Sequence, residues 1–225
     1  MLLSIYLKFE KQMKNKCIIF DCDGVLVDSE TISARIFIEM AESLGFKMDF
    51  DFAVERFAGV SMKENLNFIR DNIECTLPAD FEQEFRRRTY DAFKTDLKPI
   101  EGIHNLINKI TVPFCVASSG PVEKIKLSLT TTNLIDKFEN RIFSCYEIGS
   151  WKPNPEIYLF AAKQMGFNPD ECAVIEDSEA GIRAGKSGGF DVYALANESK
   201  KGEFENLGAT VFFSMGELGT LLKID

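Results

Sequence analysis

The apolar positions of this chain follow two rhythms, and the first change between them comes early. Cys17-Ile-Ile-Phe20 is a continuous apolar run, too short for a helix and typical of a strand buried on both faces. After Glu30 the period lengthens, and Ile36, Phe37, Met40, Ala41 and Leu44 form a helical stripe that stops at Gly45. Ser61-Met-Lys-Glu64 is a capping box, with Met62, Leu66, Ile69 and Ile73 at helical spacing behind it. Pro78 and Asp80 open another helix, which runs through Phe81 and Phe85 to about Phe93. No buried strand is legible between Glu30 and Lys98, so this stretch reads as an all-helical block.

Strands return after Pro99. Pro113–Ala117, Arg141–Cys145, Ala173–Glu176, Asp191–Ala196 and Thr210–Phe213 are the strand candidates. The helices between them carry Val122, Ile125 and Leu129, then Ile157, Phe160, Ala161 and Met165, and a third stops at Gly188 and Gly189. Strands alternating with helices on short connections predict an α/β fold with a parallel, doubly wound sheet. The helical block interrupts that alternation and reads as an inserted cap. The expected division is an N-terminal extension over 1–16, a discontinuous core of 17–30 and 97–225, and a helical cap over 31–96. The extension begins with Leu2, Leu3, Ile5, Tyr6 and Leu7 and then turns basic; it is too short and interrupted to span a membrane and can pack on the core as a helix.

Composition narrows the partners. A chain of 225 residues with 45% hydrophobic content has room for a real core, as one large domain or one domain with an insertion. Its net charge of -9 makes nucleic acid and anionic membrane surfaces poor partners, and an anionic small substrate then needs local cations and a metal. The six cysteines contain no C-x-x-C pair, and Cys17, Cys115 and Cys172 lie in apolar runs as buried free thiols do. With no signal peptide legible, a reducing, cytoplasmic setting is expected. The single histidine, His104, lies in the helix-like stretch Gly102–Ile107, away from the candidate chemistry. Carboxylates must therefore do any acid–base work.

The first apolar run ends in Asp21 and Asp23, with Gly24 after them. On a continuing strand both carboxylates would face one side, at the C-terminal edge where open α/β sheets bind ligands. Neighbouring carboxylates repel unless a cation or a shared proton separates them, so the pattern implies a bound divalent metal. Three other strand ends supply complementary groups. Ser118, Ser119 and Gly120 precede a helix with Pro121 at its first position, where backbone N–H groups and a hydroxyl make a phosphate seat. Lys152, followed by Pro153 and Pro155, is a cation suited to phosphoryl oxygens. Glu176 and Asp177 complete a hard, all-oxygen pocket that suits Mg²⁺ better than zinc or copper. Singly each signal is weak, since serines cap helices and acids favour helix starts everywhere.

Together, Asp21-Cys-Asp-Gly-Val-Leu-Val-Asp-Ser-Glu30, Val116-Ala-Ser-Ser-Gly120, Lys152-Pro-Asn-Pro155 and Val174-Ile-Glu-Asp-Ser178 with Gly181 resemble, in order, the motifs of haloacid-dehalogenase (HAD) superfamily hydrolases. The likeness spans nearly everything from Cys17 to Ala196. It points to the branch of β-phosphoglucomutase and the sugar-phosphate phosphatases, the 6-phosphogluconate type among them. The resemblance implies a Rossmann-like core with an inserted α-helical cap. It implies a Mg²⁺-dependent phosphatase that acts on a small phosphorylated metabolite, a phosphosugar or sugar-acid phosphate, through a phosphoaspartate. Asp21 would attack phosphorus, and Asp23 would protonate the leaving alcohol and then activate water. Ser118 and Lys152 would hold phosphoryl oxygens with help from the Ser119 N–H. Mg²⁺ would rest on the Asp21 carboxylate, the Asp23 backbone carbonyl and Asp177, with Glu176 bound directly or through water.

Several other readings on the same superfamily fit less well. Dehalogenases lack the second acid, and a phosphonate-cleaving relative needs a Schiff-base amine, for which Lys63 has no supporting surroundings. The mutases place a histidine ten residues after the second aspartate and an arginine after the Gly-Val-Ser turn; here those positions are Ser33 and Met62, which favours hydrolysis. A non-catalytic phosphometabolite-binding protein is the alternative of another class. In the cap, Lys63 or Arg86 is a candidate partner for a sugar-acid carboxylate, against the plainer reading that Arg86, Arg87 and Arg88 balance Glu82 and Glu84 in solvent. A monomer is expected.

Overall fold

Six parallel strands form one sheet: β1 (Cys17–Phe20), β2 (Phe114–Ser118), β3 (Ile142–Ser144), β4 (Cys172–Glu176), β5 (Asp191–Leu195) and β6 (Thr210–Phe212), in the order β3-β2-β1-β4-β5-β6. The computed structural model describes residues 15–57 and 60–224. Residues 1–14 of the expected extension lie outside the described residues. Asn15 and Lys16 belong with the sheet: Asn15 donates to Asp191 at 2.8 Å, and the Lys16 amide donates to the Glu171 carbonyl at 2.7 Å.

The continuous apolar run of β1 has the burial expected of a central parallel strand, all four residues being fully buried. Ile18 and Phe20 pack on one face with Ile103, Leu106, Ile125 and Leu129. Cys17 and Ile19 pack on the other with Ile157, Ala161, Ile182 and Ala184. Among the described residues none of the helices is long and apolar enough to cross a membrane.

The helices in chain order are α1 (Ser29–Glu42), α2 (Phe50–Phe57), α3 (Met62–Asn72), α4 (Phe81–Asp96), α5 (Ile103–Lys109), α6 (Val122–Thr131), α7 (Cys145–Ile148), α8 (Glu156–Met165), α9 (Glu179–Ser187), α10 (Lys201–Asn206) and α11 (Met215–Leu222). From β1 the chain builds outward to β2 and β3, then returns to the far side of β1 for β4 to β6. The crossover directions reverse between β1 and β4, and such a switch point opens a crevice at the C-terminal ends of the strands.

Helices α1 to α4 form the block that the sequence pattern separates from the alternating chain. The capping box at the start of α3 is complete, with both the Ser61 and Glu64 hydrogen bonds formed. The ring of Phe37 on α1 stacks on Phe57 of α2 at 4.5 Å and on Phe85 of α4 at 3.9 Å, tying three helices together. Helix α2 has no clean apolar stripe in the sequence, because Phe50 and Phe52 are exposed while Ala53 and Phe57, one turn apart, are buried. Replacing Phe37 with Ala should cost about 3–5 kcal/mol of unfolding free energy, read by chemical denaturation. A loss below about 1 kcal/mol would mean the stacked rings are not part of the cooperative core.

Candidate active site

Four strands direct polar groups to the crevice. Strand pairing stops at Phe20, so β1 does not continue to Asp23 as a regular strand. The Asp21 amide still donates to the Ile175 carbonyl at 2.9 Å, and the register of Phe20 with Ile175 sets Asp21 beside Glu176. The chain then turns, the Leu26 and Val27 amides both donating to the Cys22 carbonyl. Gly24 makes this turn at φ +74°, and a Cβ there would overlap the Asp177 carboxylate; a Cβ at Gly181 would overlap that of Glu176. Glycine at those two positions is what lets the acids of β1 and β4 converge.

A single ammonium group joins them. Lys152 Nζ lies 2.7 Å from Asp21 Oδ1 and 2.6 Å from Glu176 Oε1, with its side chain only 5% exposed. The Tyr158 hydroxyl of α8 also donates to Glu176 Oε1, at 2.6 Å. Glu176 Oε2 accepts from the amides of Asp177 and Ser178 and from the Ser178 hydroxyl, at 2.9, 3.0 and 2.9 Å. Both Glu176 oxygens are thus engaged inside the protein.

These contacts sort the charges. Burial opposes ionisation of Glu176, but Lys152, Tyr158 and the backbone donors overcome it and hold its carboxyl below the usual range. Burial likewise opposes the charge of Lys152, yet Asp21 and Glu176 hold it protonated, well above its ordinary value. For Asp21, burial, with Glu176 and Asp23 adding repulsion, outweighs the attraction of Lys152 and pushes its carboxyl up to about 7. Asp177 is pushed well above the usual range by burial and by Glu30, Glu176 and Asp21.

A site with this surplus of negative charge fits a divalent cation. Asp21, Glu176 and Asp177 each offer an oxygen, all within 4.8 Å of one another. The donors are all oxygen, the set that hard divalent ions prefer, and Asp177 makes no ion pair among the described residues. The Asp23 carboxylate stands apart from that group. Its Oδ2 meets Lys124 Nζ at 2.7 Å, while its Oδ1 is buried with no hydrogen-bond partner. Burial would raise the Asp23 carboxyl, but Lys124 pulls it below the ordinary value.

On β2, Ser118 is buried, and its Oγ accepts from the Gly120 amide at 3.1 Å. Ser119 is exposed at the strand end, and the Ser144 hydroxyl holds the Gly120 carbonyl at 2.7 Å. Pro121 is the N-cap of α6, with φ −67° and ψ 153°, one place earlier than the first helical position expected of it, because its extended ψ lies outside the helix. Asp21, Asp23, Ser118, Ser119, Lys152, Glu176 and Asp177 therefore meet at one sheet edge. Lys63 is exposed in the first turn of α3 and makes no ion pair among the described residues. Arg86 donates through Nε and Nη2 to Glu82 Oε1 at 2.9 and 2.8 Å, and Arg87 and Arg88 both pair with Glu84.

Two residues of the site are missed by sequence reasoning. Tyr158 sits among the apolar positions of α8, where only its need for a polar partner hints at a role. Lys124 reads as an ordinary surface lysine in the first turn of α6, and nothing local marks it as the partner of a residue 101 positions away.

Residues 15–189 match the family of haloacid dehalogenase-like hydrolases, and the chain belongs to it. It is 32% identical over 209 residues to the 6-phosphogluconate phosphatase of Escherichia coli K12, covering 92% of this chain and 95% of that one. It is 31% identical over 186 residues to the beta-phosphoglucomutase of Bacillus subtilis, covering 78% and 80%. A HAD family hydrolase from Deinococcus radiodurans, solved with bound phosphate and sodium, superposes with a TM-score of 0.82 at 28% identity over 95% of this chain and 97% of that one.

Because Gly24 admits the Asp177 carboxylate, Gly24→Ala should weaken binding of a divalent cation at this cluster about 10–100-fold, measured by titration calorimetry with Mg²⁺ as the probe on the folded variant. Unchanged affinity would remove Asp177 from the ligand set.

Proposed function

We propose that this chain is a Mg²⁺-dependent phosphatase for a small phosphorylated metabolite, a phosphosugar or sugar-acid phosphate, working through a phosphoaspartate on Asp21. The observation that carries this reading is the buried Lys152 ammonium shared by Asp21 and Glu176 beside Asp177. It leaves Asp21 Oδ2 as the attacking atom and sets a cation where phosphoryl oxygens would lie. Phosphoryl transfer asks chiefly for such positioning and charge neutralisation.

The negative charge of the bound phosphate offsets the pull of Lys124, so that Asp23 takes up a proton from solvent in the substrate complex; Asp21 then attacks phosphorus, and the bond to the ester oxygen breaks as that oxygen receives this proton. Asp23 then takes a proton from water, whose oxygen attacks the same phosphorus and restores the Asp21 carboxylate. Dividing the reaction at an aspartyl phosphate replaces one hard step with two easier ones. Ser118, Lys152 and the Ser119 N–H hold the phosphoryl oxygens meanwhile. Asp21, Asp177 and the Asp23 backbone carbonyl would hold Mg²⁺, and Glu176, with both oxygens already engaged, would reach it through water. The chemistry the ion supplies when bound is neutralisation of phosphoryl charge.

Helices α1 to α4 act in this reading as a cap over residues 31–96, against a core of 17–30 and 97–225. Ser33 and Met62, where the mutases carry histidine and arginine, favour hydrolysis over transfer back to the sugar. The relatives named as phosphatases support the same choice. The free cysteines, all but Cys75 buried, suit the cytoplasm, and a site assembled from one chain's strand ends suits a monomeric enzyme.

Inorganic phosphate should be released from sugar phosphates and from p-nitrophenyl phosphate in the presence of Mg²⁺. Asp21→Asn should lower kcat at least about a thousandfold while leaving the circular dichroism spectrum unchanged. No release by the wild type would favour a binding protein, and a nearly active variant would reassign the nucleophile.

A further inference from the structure

Asp23 follows Asp21 by two residues, so its carboxylate is within easy reach of the acidic cluster of Asp21, Glu176 and Asp177. Hard divalent ions gather carboxylate oxygens, and the Lys152 ammonium adds positive charge on the same side. An Asp23 carboxylate drawn into that cluster would be spent there. It could carry no proton to an ester oxygen and take none from water, since both tasks need a free oxygen within hydrogen-bond reach. Something must hold it out.

Lys124 is placed to do so. Among the described residues Asp23 makes its only ion pair with this lysine, Oδ2 to Nζ at 2.7 Å, while Oδ1 has no hydrogen-bond partner. Lys152 also attracts Asp23, but more weakly than Lys124 does. The position is costly for the helix that carries it. Lys124 lies in the first turn of α6, where the helix dipole disfavours a cation. The surroundings nevertheless make room for it. A Cβ at Gly120 would stand 3.3 Å from Lys124 Cδ and 4.0 Å from Nζ, so glycine leaves the path of the side chain open. The fully buried Phe93, in the last turn of α4, sets its ring centre 5.7 Å from Nζ, a contact that favours the charged ammonium.

We propose that Lys124 is a positioning residue that keeps the Asp23 carboxylate out of the cation's ligand set, so that Asp23 offers the ion only its backbone carbonyl. The proposal rests on the phosphatase reading and explains how two aspartates so close in the chain keep separate tasks. Lys152 ties Asp21 to the cluster, and Lys124 ties Asp23 away from it. With Lys124 removed, both oxygens of Asp23 lack a partner, and the carboxylate turns to the cation.

The test is titration calorimetry with Mg²⁺ on the wild type, Lys124→Met, Asp23→Asn and the double variant, with no turnover involved. Removing a nearby positive charge tightens cation binding in any background, so the quantity read is the difference between backgrounds. Lys124→Met should tighten Mg²⁺ binding at least about tenfold more in the native background than in the Asp23→Asn background. Lys124→Ala, which removes the same charge, should reproduce this, and Lys124→Arg should restore the wild-type affinity. Single-turnover phosphorylation gives a second readout. Lys124→Met should slow transfer from a sugar phosphate about a hundredfold, and transfer from p-nitrophenyl phosphate, whose leaving group needs no proton, less than about tenfold. Equal tightening in both backgrounds overturns the proposal, as does equal slowing on both substrates or a wild type that binds no Mg²⁺. No phosphate released by the wild type from any sugar phosphate would sink the phosphatase reading instead, and the calorimetric difference would still decide the placing of Asp23.

Discussion

The whole site depends on one buried cation between two carboxylates. Lys152 reaches Asp21 and Glu176 at 2.7 and 2.6 Å from a side chain almost closed to solvent. Leaving such a group without its partners is costly, of order 3–5 kcal/mol for a buried pair broken from one side. The surrounding fold is arranged to keep it satisfied. The order of the sheet sets the ends of β1 and β4 side by side, and Gly24 and Gly181 remove the methyl groups that would hold their acids apart. Tyr158 and the first amides leading into α9 occupy the remaining lone pairs of Glu176. The result is an aspartate with one oxygen pinned and the other free, beside a second acid group that still lacks a cation of its own.

Packing remote from the chemistry shapes the other half of the site. The stacked rings of Phe37, Phe57 and Phe85 join α1, α2 and α4, and the same α4 lays Phe93 against Lys124. Asp21 and Asp23, two residues apart, consequently face different lysines, Lys152 from the loop before α8 and Lys124 from α6. That division suits two different tasks for the two carboxylates, attack at phosphorus for one and proton transfer to the leaving group for the other.

Much of this is legible in the sequence. The unbroken apolar run of Cys17–Phe20 marks a strand buried on both faces, and the change of period after Glu30 marks the helical block. Asp21, Ser118, Lys152, Glu176 and Asp177 stand out because each directly follows or ends an apolar run, or sits against a proline. Where the pattern fails, the reason is physical. Helix α2 exposes two phenylalanines, α10 buries only Phe204, and α7 has four residues, too few to display a period. Tyr158 and Lys124 escape because their roles come from partners distant in sequence, which no local spacing records.

The central claim, that Asp21 carries the phosphoryl group, is tested most directly by trapping it there. Rapid acid quench of a single turnover, followed by borohydride reduction and peptide mass spectrometry, distinguishes an acyl phosphate from every other linkage. The expected result is reduction of Asp21 alone to homoserine, with none at Asp23, Glu176 or Asp177 and none without substrate. Reduction at another acid, or an unmodified Asp21 while phosphate is being released, would contradict the account.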